Sequence, residues 1–318
     1  MRSSTSQQGC PGTLAGRRDA AAGRLRVHTL GFDGILDTVL ECIGSVCPAT
    51  RSVVRQSIDT GLIGSARYSD QTESTNRDAI AELQHPLSPP ILPRLHLTDH
   101  QTAGRGRLGN RWQSAPMALT LTLTTKVDPA NPASGILSLA VGVAVARAIE
   151  FVCAPCRIAL KWPNDLCSGW LVDPAGRERH FQKLGGILIE STAPRRDVAV
   201  IGIGLNLEHV PSLRDGSATP PGSLSGLTGR PVHRPELLAA VLESLSQAVE
   251  ELFDDPGPLM TEYRSRCLLI GSTVTLRQNA TVVQGRCTGI SDDGALEILC
   301  DGRRRTFRSG EVSQVRPG

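Results

Sequence analysis

The sequence predicts an α+β protein, a mixed β-sheet packed with helices and followed by a small all-β module. Three observations predict it. Apolar runs of strand length recur between residues 91 and 207, some of them alternating with polar residues. Two longer stretches, 134–152 and 235–253, carry apolar residues over helical lengths. From residue 268 onward, short Val-, Thr- and Ile-containing segments are separated by turn sequences such as "QN", "SDDG" and "DG".

Each element has its own justification. Residues 1–30 are rich in Ser, Gly and Arg and nearly free of acid, and they lack the apolar centre of a secretory signal. An organelle transit peptide is compatible with that composition, but a largely disordered N-terminal extension, 1–47, is the simpler reading. Within it, apolar residues at 35, 36, 39, 40 and 43 fit one helical face, and 50–58 fits a second short helix. "NRDAIAEL" (76–83) reads as a helix capped by Ser74, Thr75 or Asn76. "ILPRLHLTD" (91–99) reads as a strand, and "MALTLTLTT" (117–125) alternates as a half-buried strand does. The stretch 134–152 has no charge before Arg147 and must be largely buried as a helix. "RIALKW" (157–162), "GGILIES" (185–191) and "VAVIGIGLNL" (198–207) are further strands, with 167–181 as a surface loop. The helix at 235–253 is amphipathic, apolar at 237, 238, 241, 242, 245, 249 and 252. The final strands are expected near 273–277, 281–289, 295–300 and 304–308.

Composition narrows the function classes. A net charge of +3 is too mild to imply a nucleic-acid partner. No run approaches the roughly 18 uninterrupted apolar residues of a membrane helix, so no membrane partner is expected either. Nine cysteines at irregular spacing, with a lone Cys-x-x-Cys at 153 and 156, suit buried thiols in a reducing cytoplasm better than disulfides or a metal site. Of 34 basic side chains only Lys126, Lys161 and Lys183 are lysines. Where such a chain keeps a lysine, a compact, rotatable ammonium has a use that arginine does not serve.

The densest motif is "TAGRGRLGNRW" (102–112), a glycine- and arginine-rich loop after a strand. It lacks the Lys-Ser/Thr of a Walker loop, and no helix opens after it as a dinucleotide fold requires. Its glycines let backbone N–H groups approach a ligand. Arg105, Arg107 and Arg111 offer planar, permanently charged donors to a phosphate or carboxylate. "KWPND" sets Lys161, Asn164 and Asp165 at a strand end that Pro163 terminates. "QKLGGILIE" places Lys183 before two glycines, and "GIGLNL" adds Gly202, Gly204 and Asn206. Together these describe strand ends converging on one polar cleft that suits a nucleotide phosphate and a carboxylate to be activated.

"STN", "QTAGRGRLGNRW", "KWPNDL", "KLGGILIE" and "GIGLNL", in that order, closely resemble the biotin protein ligases, and the resemblance extends over about residues 66–316. It implies a biotin- and ATP-binding catalytic domain at 48–255 and a small β-barrel at 268–316. The implied reaction makes biotinyl-5′-AMP from biotin and ATP, with Mg²⁺ delivered by the ATP. Biotin then passes to a lysine of the biotin carboxyl carrier domain of acetyl-CoA carboxylase or another biotin-dependent carboxylase. By the same resemblance Ser74, Thr75, Asn76 and Gln101 hold biotin. Gly104, Arg105, Gly106 and Arg107 form the adenylate loop, with Arg105, Gly106 and Arg107 also at the biotin side. Lys183 serves the biotin carboxylate and the α-phosphate, while Lys161, Asn164 and Asn206 lie at the nucleotide. Arg107, Lys183 and Asp165 are the catalytic candidates, with Asp165 as acceptor for the incoming amine. Leu108 and Asn110 depart from the family loop, and 166–182 looks like a surface insertion. The resemblance leaves room for a weak homodimer. A lipoate or octanoate ligase shares the scaffold, but its arginine and triple-glycine signature is absent. A biotin-sensing repressor would need a recognition helix and wing that 35–58 does not display.

Overall fold

The computed structural model describes residues 40–41, 46–85, 89–169, 171–172, 178–193, 195–211 and 219–316. The chain runs β1 (Leu40–Glu41), α1 (Pro48–Asp59), β2 (Ser65–Thr72), α2 (Thr75–Leu83), β3 (Arg94–Gln101) and β4 (Leu119–Lys126). It continues through α3 (Leu137–Val152), β5 (Ile158–Lys161), β6 (Asp165–Ser168), β7 (Leu171–Val172), β8 (Glu178–His180), β9 (Lys183–Thr192) and β10 (Arg195–Leu205). Then come α4 (Leu224–Thr228), α5 (Arg234–Asp254), α6 (Pro256–Arg266), β11 (Thr273–Gln278), β12 (Thr281–Ile290), β13 (Leu296–Cys300), β14 (Arg303–Phe307) and β15 (Glu311–Arg316).

Eight strands form one mixed sheet in the order β1-β2-β3-β4-β10-β9-β6-β5, parallel among the first three and antiparallel from β3 onward. The Leu/Thr alternation of β4 decides its layers. Leu119, Leu121 and Leu123 join Ala199, Ile201, Ile203 and Leu205 of β10 in the main core, against α3 and α5. The opposite face carries Thr120 across from Gly204 and Thr122 across from Gly202. A period of two thus gives one apolar face and one nearly bare face. On the bare face α2 packs Ala79 and Leu83 against Val198 and Val200, and the rest is left as the floor of a cleft.

Helix α3, with the 3-10 turn before it, is long and apolar enough by length and composition to cross a membrane. Most of it is buried inside the protein, packed on α5, α6 and β5. The segment Leu40–Glu41, expected inside a helix, instead pairs parallel to β2, where the sheet edge offers it backbone partners. The rest of the expected helix at 35–43, and of the extension 1–47 up to its last two residues, lies outside the described residues.

The C-terminal module is a five-stranded antiparallel sheet in the order β14-β13-β12-β11-β15. Its end strands β14 and β15 each pair on one side only, so the expected barrel is an open sheet. Helix α6 leads into it through a clamp that is largely buried. Arg266 donates to Glu150 (2.5 Å) and Glu262 (2.7 Å), Arg147 pairs with Glu251 and Glu262, and Glu150 also accepts from the Ile158 N–H (2.7 Å). The Arg266 side chain is only 5% exposed. Replacing Arg266 with methionine leaves Glu150 without its cation, Glu262 keeping Arg147, and is expected to cost about 3 kcal/mol. Urea unfolding followed by circular dichroism checks this, and an unchanged midpoint contradicts it.

Candidate active site

The cleft on the bare face encloses about 950 Å³, including the part open to solvent. Its floor depends on missing side chains. A Cβ on Gly204 would sit 2.5 Å from the Trp112 ring, and one on Gly202 would overlap the Asn76 amide. The glycines of "GIGLNL" therefore admit the indole and the amide, which lie directly against the sheet. Trp112 Nε1 and Thr120 Oγ1, both in the cleft wall, are buried with no hydrogen-bond partner among the described residues. Each such group is costly unless something in the cleft satisfies it.

At one end stands the start of α2. Ser74 occupies the N-cap position, but its hydroxyl does not cap the helix. The Thr75 N–H donates to Gln101 Oε1 (2.9 Å) instead. Ser74 itself lines the cleft. Asn76 is held on three sides. Its Nδ2 donates to Leu188 O (3.2 Å) and Glu190 Oε2 (2.9 Å), and its Oδ1 accepts from Thr122 (2.6 Å).

The arginine loop folds back on itself. Gly106 N donates to Asn110 O (2.7 Å), Asn110 N to Arg107 O (3.0 Å) and Trp112 N to Gly104 O (2.9 Å). Leu108 and Gly109 occupy the left-handed region at φ 55° and 79°. For Leu108, exposed at the loop tip, that conformation costs about 1–2 kcal/mol. So the departures at 108 and 110 sit at the turn of a closed hairpin, with Asn110 supplying one of its carbonyls.

At the other end the cations collect. Lys183 Nζ donates to Asp165 Oδ1 (2.5 Å). Burial acts to lower the Lys183 pKa, but the charge and hydrogen bond of Asp165 outweigh it and hold the ammonium above its ordinary value. Lys161, 6% exposed, donates to Thr219 Oγ1 (3.0 Å). Arg107 has no ion-pair partner among the described residues. Burial pulls its pKa down from the ordinary arginine value against the opposing field of Asp165. A partly desolvated guanidinium that shares one cleft lining with Lys161 and Lys183 suits an anion.

Ser74, Thr75, Asn76, Gln101, Arg105, Gly106, Arg107, Lys161, Asn164, Asp165 and Lys183 all line this one cleft. Two sequence-predicted residues do not. Gly104 lies in a second hollow beneath the loop. Asn206 is buried behind the cleft, donating from Nδ2 to Gly222 O (3.0 Å) and from its N–H to Leu184 O (2.8 Å). It braces the segment that also bonds both backbone groups of Lys183. Trp162 is a packing residue whose Nε1 donates to Gly294 O (3.0 Å) of the C-terminal module. Trp170 lies outside the described residues. Sequence reasoning missed Thr122 and Glu190, and also Gly310, Glu311 and Val312, which bring the last strand to the cleft. Glu190 stood inside the quoted "GGILIE", while nothing local marked Glu311. In the lone Cys-x-x-Cys, burial pushes the Cys153 thiol up to about 11 and raises Cys156 as well, so both stay protonated near neutrality.

Known proteins resemble this chain in sequence and fold. Residues 68–208 match the profile of the Biotin/lipoate A/B protein ligase family, and 269–314 match the Biotin protein ligase C terminal domain. The biotin--[acetyl-CoA-carboxylase] ligase of Mycobacterium tuberculosis is 32% identical over 251 residues, covering 77% of this chain and 87% of that protein. The bifunctional ligase/repressor BirA of Escherichia coli is 28% identical over 260 residues, covering 80% and 75%. In fold, the chain is similar to the biotin protein ligase of Aquifex aeolicus solved with biotin and ATP, at TM-score 0.64 and 24% identity over 80% of this chain and 99% of that one. The two profile matches and the 32% identity establish that this chain belongs to the biotin protein ligases of the biotin/lipoate A/B protein ligase family.

Proposed function

We propose that the cleft condenses biotin with ATP to biotinyl-5′-AMP and then presents the adenylate to a lysine of a carrier domain. The observation that carries this reading is the meeting of Arg107, Lys161 and Lys183 around one hollow whose far end holds Ser74 and the start of α2. Biotin's carboxylate must attack an α-phosphate that is itself an anion, with the bond to the β-phosphate breaking and pyrophosphate leaving, so cations placed at both groups lower the barrier. Lys183 serves both oxyanions, Arg107 and Lys161 hold the phosphate, and Asn164 supports the nucleotide side. Ser74, Thr75, Asn76 and Gln101 form the end that takes the ring of biotin, and the Trp112 donor, without a partner among the described residues, lines the same cleft. The loop Arg105–Arg107 shields the mixed anhydride from water. In the second step Asp165, beside Lys183, receives the proton of the attacking amine. The amine nitrogen bonds to the biotin carbonyl carbon, and AMP leaves. Mg²⁺ enters as part of the ATP substrate.

We place the catalytic unit at 48–255 and the C-terminal unit at 268–316. The acceptor in this reading is the biotin carboxyl carrier domain of acetyl-CoA carboxylase or another biotin-dependent carboxylase, and the setting is cytoplasmic. Incubation with ATP, Mg²⁺ and either biotin or lipoate, followed by mass spectrometry, tests the substrate. Biotinyl-AMP alone is expected, and lipoyl-AMP without biotinyl-AMP overturns the assignment. Addition of an apo carrier domain should then transfer biotin to a single lysine.

A further inference from the structure

Glu190 is a carboxylate in the second hollow at the arginine loop, next to a cleft that gathers cations. Its Oε2 accepts from Asn76 Nδ2 (2.9 Å) and from Arg105 Nη2 (3.0 Å). One oxygen on β9 thus ties the first turn of α2 to the arginine loop. Asn76 cannot swing to follow the loop, because Leu188 O and Thr122 hold its amide and the bare backbone of Gly202 seats it. The fixed partner is therefore the wall, and the loop is the part that docks on it. The same contact divides the two arginines of "GRGR". Arg105 neutralises Glu190, which would otherwise repel an anion, while Arg107 has no ion-pair partner among the described residues.

We propose that Glu190 is a positioning residue for the loop: it holds Arg105 against the wall at Asn76 and thereby slows escape of the adenylate, while Arg107 meets the ligand's charge. This rests on the reading that the cleft makes biotinyl-5′-AMP. The carboxylate touches neither the reacting carbonyl nor the phosphate and acts through Arg105. Removing its charge should therefore change retention of the intermediate in a way that depends on Arg105.

The test forms the adenylate on the enzyme with biotin and ATP-Mg²⁺, removes excess reagents by rapid gel filtration, and follows release of biotinyl-AMP by mass spectrometry. Glu190→Gln is expected to release it about tenfold faster, the order for losing one partly exposed charge-assisted hydrogen bond. Arg105→Ala should do the same, and the double variant should release no faster than Arg105→Ala alone. Glu190→Asp keeps the charge but withdraws it by one methylene. It should also release faster, and it carries the same cycle should the glutamine variant fold poorly. Release at the wild-type rate overturns the proposal. So does an additive double variant, which would mean that Glu190 acts through general stability. Should the wild-type chain form no biotinyl-AMP at all, the reading of the cleft fails instead, and the two failures are told apart.

Discussion

Replacing Lys183 with arginine lowers the single-turnover rate of biotinyl-5′-AMP formation by about two to three orders of magnitude, the scale for removing one well-placed oxyanion donor. The reason is geometric as much as electrostatic. The ammonium lies along β9 beside Gly186, where a Cβ would stand 3.5 Å from Nζ, and it sits 2.5 Å from Asp165. A guanidinium is longer and planar, and it would fork onto the Asp165 carboxylate instead of rotating between two ligand oxyanions. Because Asp165 keeps the ammonium protonated, the lysine acts as a charge and donor, and charge alone is not what the arginine variant loses. Pyrophosphate release under single-turnover conditions measures this. A rate within threefold of wild type removes the argument for a compact, mobile cation.

A single methyl group on Gly204 should be nearly as damaging. In Gly204→Ala the new Cβ would lie 2.5–2.6 Å from Cε2 and Cζ2 of Trp112, so the indole must leave the sheet. The loop base moves with it, since Trp112 N is bonded to Gly104 O. Misplacement on that scale is expected to cost about 100-fold in turnover at limiting biotin, with an overpacking penalty of about 1–3 kcal/mol in stability. Gly135→Ala, where a Cβ meets nothing within 4 Å, is the control and should leave both values at wild type. Wild-type biotin dependence in Gly204→Ala would show that the indole does not form the wall of the cleft.

How legible the protein was in its sequence varied by element. The strand at 117–125 was readable because Leu and Thr alternate, and that alternation also separates core from cleft. The strand 65–72 was not, since "SARYSDQT" is polar and its pairing comes from β3, well downstream. The final strand 311–316 was missed for a similar reason: its partner β11 lies far back in the chain, and no local period announces it. In the cleft, the charged residues were legible because Lys is rare and the Gly/Arg loop is unlike any packed element. The supporting residues were not. Thr122 and Glu190 act through hydrogen bonds to groups more than forty residues away, a relation that spacing does not encode. Asn206 was assigned to the ligand, yet its amide closes a backbone contact one layer behind it.

The last strand reaches the cleft through Gly310, Glu311 and Val312, and Trp162 of the "KWPND" turn grips the backbone at Gly294. The lining of the cleft is therefore drawn from both sides of the boundary where the composition of the chain changes. Binding free energy from the hollow adds to the cohesion of the five-stranded sheet as well as the eight-stranded one. The C-terminal module is in this sense part of the wall of the cleft.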